Sequence, residues 1–203
     1  MIKFQYNKTS LQQLDKQLSM RLRTLPTIKS KESALRVEVK HSKDEIARLD
    51  IELERQITVY NSMSALWNEF DASLVSVKDV NLNTRKIAGV RVPVLESTEF
   101  EVRPYSLFSS PKWYADGIAL IQKVAEVGIR REFCKSKLEL LEQARKKTTQ
   151  KVNLFEKVQI PGYEDAIRKI KRFMEDEENL SKSSQKIMRA NQARKQKLKE
   201  ESL

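Results

Sequence analysis

Turn-forming residues are scarce in this chain of 203 residues, which contains four Gly and five Pro. Folds with many tight turns build them from these residues, and an average protein has about 7% Gly and 5% Pro. The shortage excludes a fold of many short elements and favours a few long ones. Long apolar runs are missing as well. No stretch approaches the ~18 uncharged apolar residues of a spanning helix, so we expect no transmembrane segment.

Residues that usually carry catalysis or metal binding are also rare. The single cysteine, Cys134, and the single histidine, His41, exclude an internal disulfide framework and a clustered Cys/His metal site. No Gly-rich phosphate loop and no HExxH motif occurs. Carboxylates are plentiful, but on exposed helix faces they usually form salt bridges. We therefore predict no catalytic residue, no metal and no cofactor. The start, MIKFQYNKTS, lacks the apolar core of a signal peptide, so we expect a cytoplasmic location.

What the chain does have is an apolar repeat of seven residues in its first third. Eight of nine positions are apolar in the series that begins at Leu11, and six of nine in the series from Leu14. Nine heptads in one phase are typical of a helix whose apolar seam faces another helix. We predict an N-terminal coiled-coil helix over residues 8–75, in which Pro26 causes either a kink or a restart.

A second seven-residue repeat begins at Leu120 and runs through the last third. After Phe155 its phase moves by one residue, beside Pro161, and such a skip locally changes a supercoil. We predict a C-terminal coiled-coil helix over residues 116–178 that forms an antiparallel hairpin with the first. The predicted seam consists of Leu11, Leu14, Leu18, Leu25, Ile28, Leu35, Val39, Ile46, Leu49, Leu53, Leu120, Val127, Leu138, Leu141, Val152, Ile160, Ile167 and Ile170.

Four charged residues interrupt the seam: Arg21, Glu32, Arg131 and Arg145. A charge in a two-helix seam costs stability, so these residues either set the register or face other subunits. Cys134 also falls at a seam position, where we expect a buried thiol rather than a nucleophile. The heptads alone favour a coiled-coil scaffold of unspecified role.

The pattern changes between the two arms, in residues 76–115. Two runs there, KIAGVRVPVLE and STEFEVRPY, alternate apolar residues with others. This alternation predicts a β-hairpin over about residues 86–103, followed by a loop, with the strand of Pro93 at an edge. A lone hairpin is marginal in water, so it must lean on the arms or on a partner. The candidate partner-binding residues are Ile87, Gly89, Val90, Val92, Pro93, Val94, Phe100 and Val102.

Positive charge is concentrated near the C-terminus. The chain has 39 Lys and Arg against 28 Asp and Glu, and Lys182–Lys199 holds seven basic residues and no acidic one. We predict a basic tail over residues 179–203, a helical or fraying extension that is attracted to acidic protein, nucleic acid or anionic lipid. Single-strand nucleic-acid binding would favour aromatic residues among the basic ones, and the tail has none.

Four segments share a pattern with a known family. They are TIKSKESAL (27–35), KIAGVRVPVLE (86–96), KVNLFEKVQIPGYEDAIRKIK (151–171) and EDEE (175–178). With them the chain resembles the D subunit of the vacuolar/archaeal-type ATP synthases and ATPases. The third segment is the most specific, through its valine-asparagine and isoleucine-proline pairs. One departure lies in the same segment, because Gly162-Tyr163 stands where members more often have a basic residue and leucine.

The resemblance implies a function for the long helices and the hairpin, in a fold that is all-α dominated. Such a protein is a non-catalytic rotor shaft that couples ATP hydrolysis or synthesis in a ring to ion translocation through a membrane rotor. The implied partners are A- and B-type ring subunits, the F subunit of the central stalk and a socket-like subunit on the rotor. Nucleic acid is not among them, and membrane contact is indirect, at a cytoplasmic, membrane-peripheral site. The candidate ring contacts are Lys3, Lys8, Lys182, Lys186, Arg189 and Arg194. A coiled-coil scaffold and a nucleic-acid-associated protein are the alternatives.

Overall fold

The computed structural model describes residues 2–106, 108 and 110–200, with the side chains of all of these except 72 and 196–200. The elements in chain order are α1 (Lys8–Ser62), α2 (Ser64–Trp67), a 3₁₀ turn (Ala72–Leu74), β1 (Val75–Ile87), β2 (Val90–Val102), α3 (Tyr114–Asn153), a π-helical segment (Leu154–Gln159) and α4 (Ile160–Glu200). Long helices and one antiparallel hairpin between them confirm the predicted fold class.

The chain forms two compact units. The terminal unit contains the residues up to Lys29 and those from Gln150 onward, and the central unit is Ser30–Thr149. In each unit a stretch of α1 packs antiparallel against the C-terminal half of the chain. In the central unit, for example, Lys43 contacts Glu142, whereas Asp50, further along α1, contacts Arg131, earlier in α3.

The first helix is shorter than predicted, because α1 ends at Ser62 rather than near residue 75. The heptad pattern continues past its end for a packing reason. The ring of Trp67 stacks on that of Tyr60, with centroids 4.4 Å apart, and its indole nitrogen donates to the Tyr60 carbonyl over 2.8 Å. Aromatic stacking in a folded-back turn therefore reproduces the spacing of a helical seam. At Pro26 the helix continues, so a restart there was the wrong alternative.

The extent of the hairpin was also predicted incorrectly. The alternating apolar residues of both runs, from Val90 to Val102, lie in β2. β1 is the preceding segment, and its pairing with β2 runs from Ile87↔Val90 back to Val75↔Val102 with two register shifts. The turn consists of Ala88 and Gly89, with φ of 46° and 81°. Positive φ at both positions is the requirement of a type I′ hairpin turn. Ala-Gly is a weak sequence signal for that turn, because alanine rarely adopts positive φ.

The predicted skip in heptad phase coincides with the π-helical segment. A π-helical turn accommodates one more residue than an α-helical turn, so it moves the apolar face by one position. The chain then continues as α4, which passes the predicted end at residue 178 and includes the basic tail as far as Glu200. Residues 201–203 of the predicted tail, and the side chains of Lys197 and Lys199, lie outside the described part.

Each unit has its own apolar core. In the terminal unit the buried residues are Leu14, Tyr163, Ala166, Ile167 and Ile170, and Ile2 and Phe4 of the N-terminal segment pack against them. In the central unit the core consists of Leu35, Val39, Leu141 and the hairpin residue Val92. Both cores are thus made of two helices and one additional segment.

Candidate interaction surfaces and the helix seam

All eighteen predicted seam residues are buried or half-buried. Complete burial is rarer, however. Leu35, Leu141 and Ile170 have no exposed surface, and each lies where the third segment covers the helix pair. Ile46, Leu53 and Val127 stay half-buried. Two helices alone therefore shield their seam only in part.

Ion pairs flank the seam on both sides in the central unit. Lys43 Nζ lies 2.7 Å from Glu142 on one side, and Lys137 Nζ lies 3.6 Å from Glu38 and 3.8 Å from Glu45 on the other. These residues occupy the heptad positions next to the seam, where interhelical charge pairs fix partner choice and orientation. The pairs therefore specify the antiparallel register.

The charged residues inside the seam have local partners. Arg21 donates to Gln159 over 2.7 Å, and its guanidinium lies 4.6 Å from the ring centroid of Tyr163. In the central unit Arg131 pairs with Asp50, and Glu32 accepts from Thr149 over 3.2 Å. These contacts favour register setting over exposure to other subunits for three of the four predicted residues.

Two polar atoms of the central seam have no hydrogen-bond partner among the described residues: Ser42 Oγ and Arg145 Nε. Ser42 has no exposed surface. An unsatisfied buried hydroxyl costs stability, so this layer of the seam is weaker than its apolar neighbours.

Gly162-Tyr163, the departure from the family pattern, has a structural role in the terminal unit. Tyr163 is buried in the core and provides the face on which Arg21 rests. A Cβ at Gly162 would lie 3.1 Å from Ile2 Cδ1, so glycine allows the N-terminal segment to approach the helix closely.

The hairpin residues predicted to bind a partner divide into two groups. Val92 has no exposed surface and packs against both helices, so assigning it to a partner surface was wrong. Ile87 and Val90 pack against the same core. The physical reason is that this end of the hairpin covers the helix pair. Gly89 is exposed at the turn, Pro93, Val94 and Phe100 are half-buried, and Val102 is exposed.

A cleft of about 320 Å³ lies between β2 and the helix pair in the central unit. Its lining includes Pro93, Val94, Leu49 and Phe133, with Arg48, Arg130 and Lys137 among its polar residues. Cys134 also lines it. Burial, with a smaller contribution from Glu45, raises the pKa of the Cys134 thiol. The thiol is thus kept neutral and acts as a small apolar side chain.

An aromatic cluster lies between the end of α1 and the start of α3. Its members Trp67 and Phe70 continue the heptad series of α1, but that series does not predict their contacts with Trp113 and Tyr114. Trp67 contacts Trp113 edge-on at 5.3 Å, and Phe70 contacts Tyr114 at 5.2 Å. The Tyr114 hydroxyl donates to the Glu69 carbonyl. The sequence feature that could have predicted the cluster is the number of aromatic residues just after the first arm and just before the second. The cluster closes this end of the central unit.

The six candidate basic contact residues, Lys3, Lys8, Lys182, Lys186, Arg189 and Arg194, are all exposed. Lys182 Nζ lies 2.6 Å from Glu178, and this contact lowers the pKa of the Glu178 carboxyl. Leu180, Ile187 and Met188 are also exposed on the same part of α4. The last described turns of α4 therefore present both basic and apolar side chains.

Two further classes of site are absent from the described residues. None of their helices contains a segment that is both long and apolar enough to cross a bilayer. No group of three His, Cys, Asp or Glu side chains in these residues is arranged to hold a metal ion.

The sequence pattern of the family described as the ATP synthase D subunit matches residues 10–190. The chain is 28% identical over 197 residues to the V-type ATP synthase D subunit of Borreliella burgdorferi, covering 96% of this chain and 98% of that protein. It is 28% identical over 172 residues to the V-type ATP synthase D subunit of Chlamydia pneumoniae, covering 80% and 81%. It is 29% identical over 169 residues to that of Chlamydia felis, with the same coverage.

Proposed function

The chain belongs to the family of ATP synthase D subunits, and from this membership we propose that it is the non-catalytic central rotor shaft of a V-type ATPase or ATP synthase. It couples ATP hydrolysis or synthesis in a catalytic ring to ion translocation through a membrane rotor. Its partners are A- and B-type ring subunits, the F subunit of the central stalk and a socket-like subunit on the rotor. Its contact with the membrane is indirect.

The observation that best supports this role is the antiparallel pairing of long helices with ion pairs on both sides of the seam. A shaft has to resist twisting, and charge pairs on both sides of the seam favour one register of the two helices over the others. An asymmetric shaft contacts each site of the ring differently. As it rotates, these contacts would favour a different nucleotide state at each site in turn.

The direct test is rotation in the intact complex. Cys134 is changed to Ala, and a cysteine replaces the exposed Lys78 in the hairpin to attach a bead, while the ring is fixed to a surface. ATP should drive rotation in one direction, and ADP should not. A complex that hydrolyses ATP while its bead stays still would reject the rotor role.

The hairpin is proposed as the contact for the F subunit, through the part that does not cover the helix core. Val77 and Val102 are both exposed on this part. Val77→Glu with Val102→Glu should reduce co-purification of the F subunit, because a desolvated charge weakens an apolar contact. The matched control is Ser76→Glu, an exposed neighbour on β1. Equal retention of the F subunit in both variants would exclude this surface.

The basic end of α4 is proposed as a contact with acidic surfaces of the ring. Changing Lys182, Lys186, Arg189 and Arg194 to Ser should make the assembly dissociate at a lower salt concentration. Salt screens the attraction between opposite charges, and the variant has less of this attraction to begin with. The control removes the same charge from exposed residues elsewhere: Lys123, Lys146, Lys147 and Lys157. If both variants dissociate at the same salt concentration, net charge and not the α4 surface is responsible.

A further inference from the structure

The hairpin leaves one long backbone edge open. Within the described part of the chain β1 and β2 form a sheet of two strands, so each has a neighbouring strand on one side only. An open edge presents unpaired N–H and C=O groups, which can pair with a strand from another chain. β1 has 13 residues and contains no proline, so nothing in its covalent structure prevents such pairing.

The turn determines which groups face that edge. In a two-residue hairpin the residues next to the turn, Ile87 and Val90, exchange both hydrogen bonds, and alternate residues then point outward. On β2 the outward residues include Pro93, which has no N–H, so that edge is interrupted. On β1 they are Lys86, Thr84, Leu82 and Val80. A register shift lies between Asn81 and Leu82, but its extra residue, Glu96, belongs to β2, so the alternation along β1 continues through it.

Two of these outward N–H groups are already occupied. The backbone N–H of Thr84 donates to Asn83 Oδ1 over 2.7 Å, and that of Val80 donates to Asp79 Oδ1 over 2.8 Å. In both cases the acceptor belongs to the preceding residue. The Asn83 side chain is held in place, because its Nδ2 donates to Glu96 Oε1 across the hairpin over 2.7 Å.

The occupied groups are those that a symmetric dimer would need. If β1 of a second copy paired antiparallel about Leu82, Val80 of each copy would lie opposite Thr84 of the other. These residues would exchange backbone hydrogen bonds. Both copies would contribute the same surface, as they do in a two-fold symmetric dimer. Leu82 is 51% exposed and would add an apolar contact at the centre.

We propose that Asp79 and Asn83 guard the outer edge of β1 against pairing with β1 of a second copy of the chain. Each guard supplies the acceptor that the incoming strand would otherwise provide, so pairing must first break a local hydrogen bond. The edge thereby remains unpaired although β1 contains no proline and no third strand among the described residues pairs with it. This inference does not depend on the rotor role.

The variant Asp79→Ala/Asn83→Ala tests the proposal in the full-length chain by sedimentation equilibrium. It frees donors for four hydrogen bonds between copies, so we expect the dimer association constant to rise at least about tenfold. Asn81→Ala is the matched control. Asn81 lies between the guards, but its side chain donates to Ser97 over 3.1 Å and accepts no bond from a backbone N–H of β1.

A third variant locates the contact. Adding Thr84→Pro to the double variant removes two of the four freed donors and places a proline ring at the edge, where it obstructs an incoming strand. The association constant should therefore return to that of the unaltered chain. An unchanged constant in the double variant would overturn the proposal. An equal rise with Asn81→Ala would overturn it as well, and so would a dimer that survives Thr84→Pro.

The unaltered protein provides a test that does not depend on the folding of any variant. Amide hydrogen exchange measured by NMR should be at least about tenfold slower at Val80 and Thr84 than at Leu82 and Lys86. The first two amides donate to side chains, whereas the register points the other two outward with no such acceptor among the described residues. Equal rates at the four amides would show that the guards do not hold the N–H groups, and the proposal would fail.

Discussion

The terminal and central units solve the same packing problem with different segments. In the terminal unit the N-terminal residues Ile2 and Phe4 cover the helix pair, and in the central unit the hairpin residue Val92 does. A pair of helices has a groove on each side of its seam, and apolar side chains at the groove stay partly in water. Full burial needs a third segment, which is the N-terminal segment in the terminal unit and the hairpin in the central unit.

The largest expected effect tests whether shielding of the seam by a third segment determines how much a seam residue stabilises the fold. Leu35→Ala, at a covered position, should lower the free energy of unfolding by about 2–5 kcal/mol, because it removes a fully buried side chain and leaves a cavity. Leu53→Ala, the same change at an uncovered seam position, should cost less than about half of that. Urea unfolding followed by circular dichroism compares the two. Equal losses would mean that cover is irrelevant.

The second prediction removes contact from the covering segment itself. Val92→Ala should cost about 2 kcal/mol, since two methyl groups leave a site with no exposed surface. Val102→Ala in the same strand, where the side chain is 38% exposed, should stay within about 0.5 kcal/mol of the unaltered protein. Thermal unfolding gives both values. If the two variants unfold alike, the hairpin does not stabilise the central unit.

A third prediction compares two glycines in helices of the two units. Gly128→Ala in α3 should raise stability by about 0.5–1 kcal/mol, because alanine favours the helix and a new Cβ would meet nothing within 4 Å. Gly162→Ala in α4 should gain less, because the Cβ would press on the covering residue Ile2. Melting temperatures of the two variants provide the measurement. A larger increase in melting temperature for Gly162→Ala would show that the N-terminal segment moves aside for the new Cβ without loss of stability.

The smallest effect concerns the flanking ion pairs. A double-mutant cycle on Lys29 and Glu156, whose charged atoms lie 2.8 Å apart in the terminal unit, should give a coupling of about 0.2–1 kcal/mol. Both side chains are about half exposed, so the coupling should shrink as salt is added. The same cycle on Lys43 and Glu142 should behave alike. A coupling that is independent of salt would contradict the surface character of these pairs.

Much of the fold was predictable because its determinants are local. Heptad spacing predicted seam residues that are all buried or half-buried, since side chains seven positions apart share one face of a helix. The skip in phase after Phe155 coincides with the π-helical segment. By contrast β1 was missed, since most of its residues are exposed and its apolar alternation, Val75 with Val77 and Val80 with Leu82, is broken by the register shift between Val77 and Asp79.

The interaction surfaces were less predictable. The apolar alternation in β2 was interpreted as a partner surface, but an apolar face has the same pattern whether it packs on its own helices or on another protein. Val92 is buried against the protein's own helices, whereas Val102 is exposed and accessible to a partner. The guards Asp79 and Asn83 carried no signal, because a strand containing Asp and Asn is simply a poor strand by propensity.

The amino-acid sequence by itself determined that the protein would be made of long helices that pair along a seam. Scarce glycine and proline, and apolar residues every seven positions, act through local geometry and need no knowledge of distant contacts. Only the tertiary structure decided which seam positions are fully buried and which hairpin face is free. The reason is that the covering residues, such as Phe4 and Val92, lie outside the two helices, and their positions depend on how residues far apart in the sequence pack together.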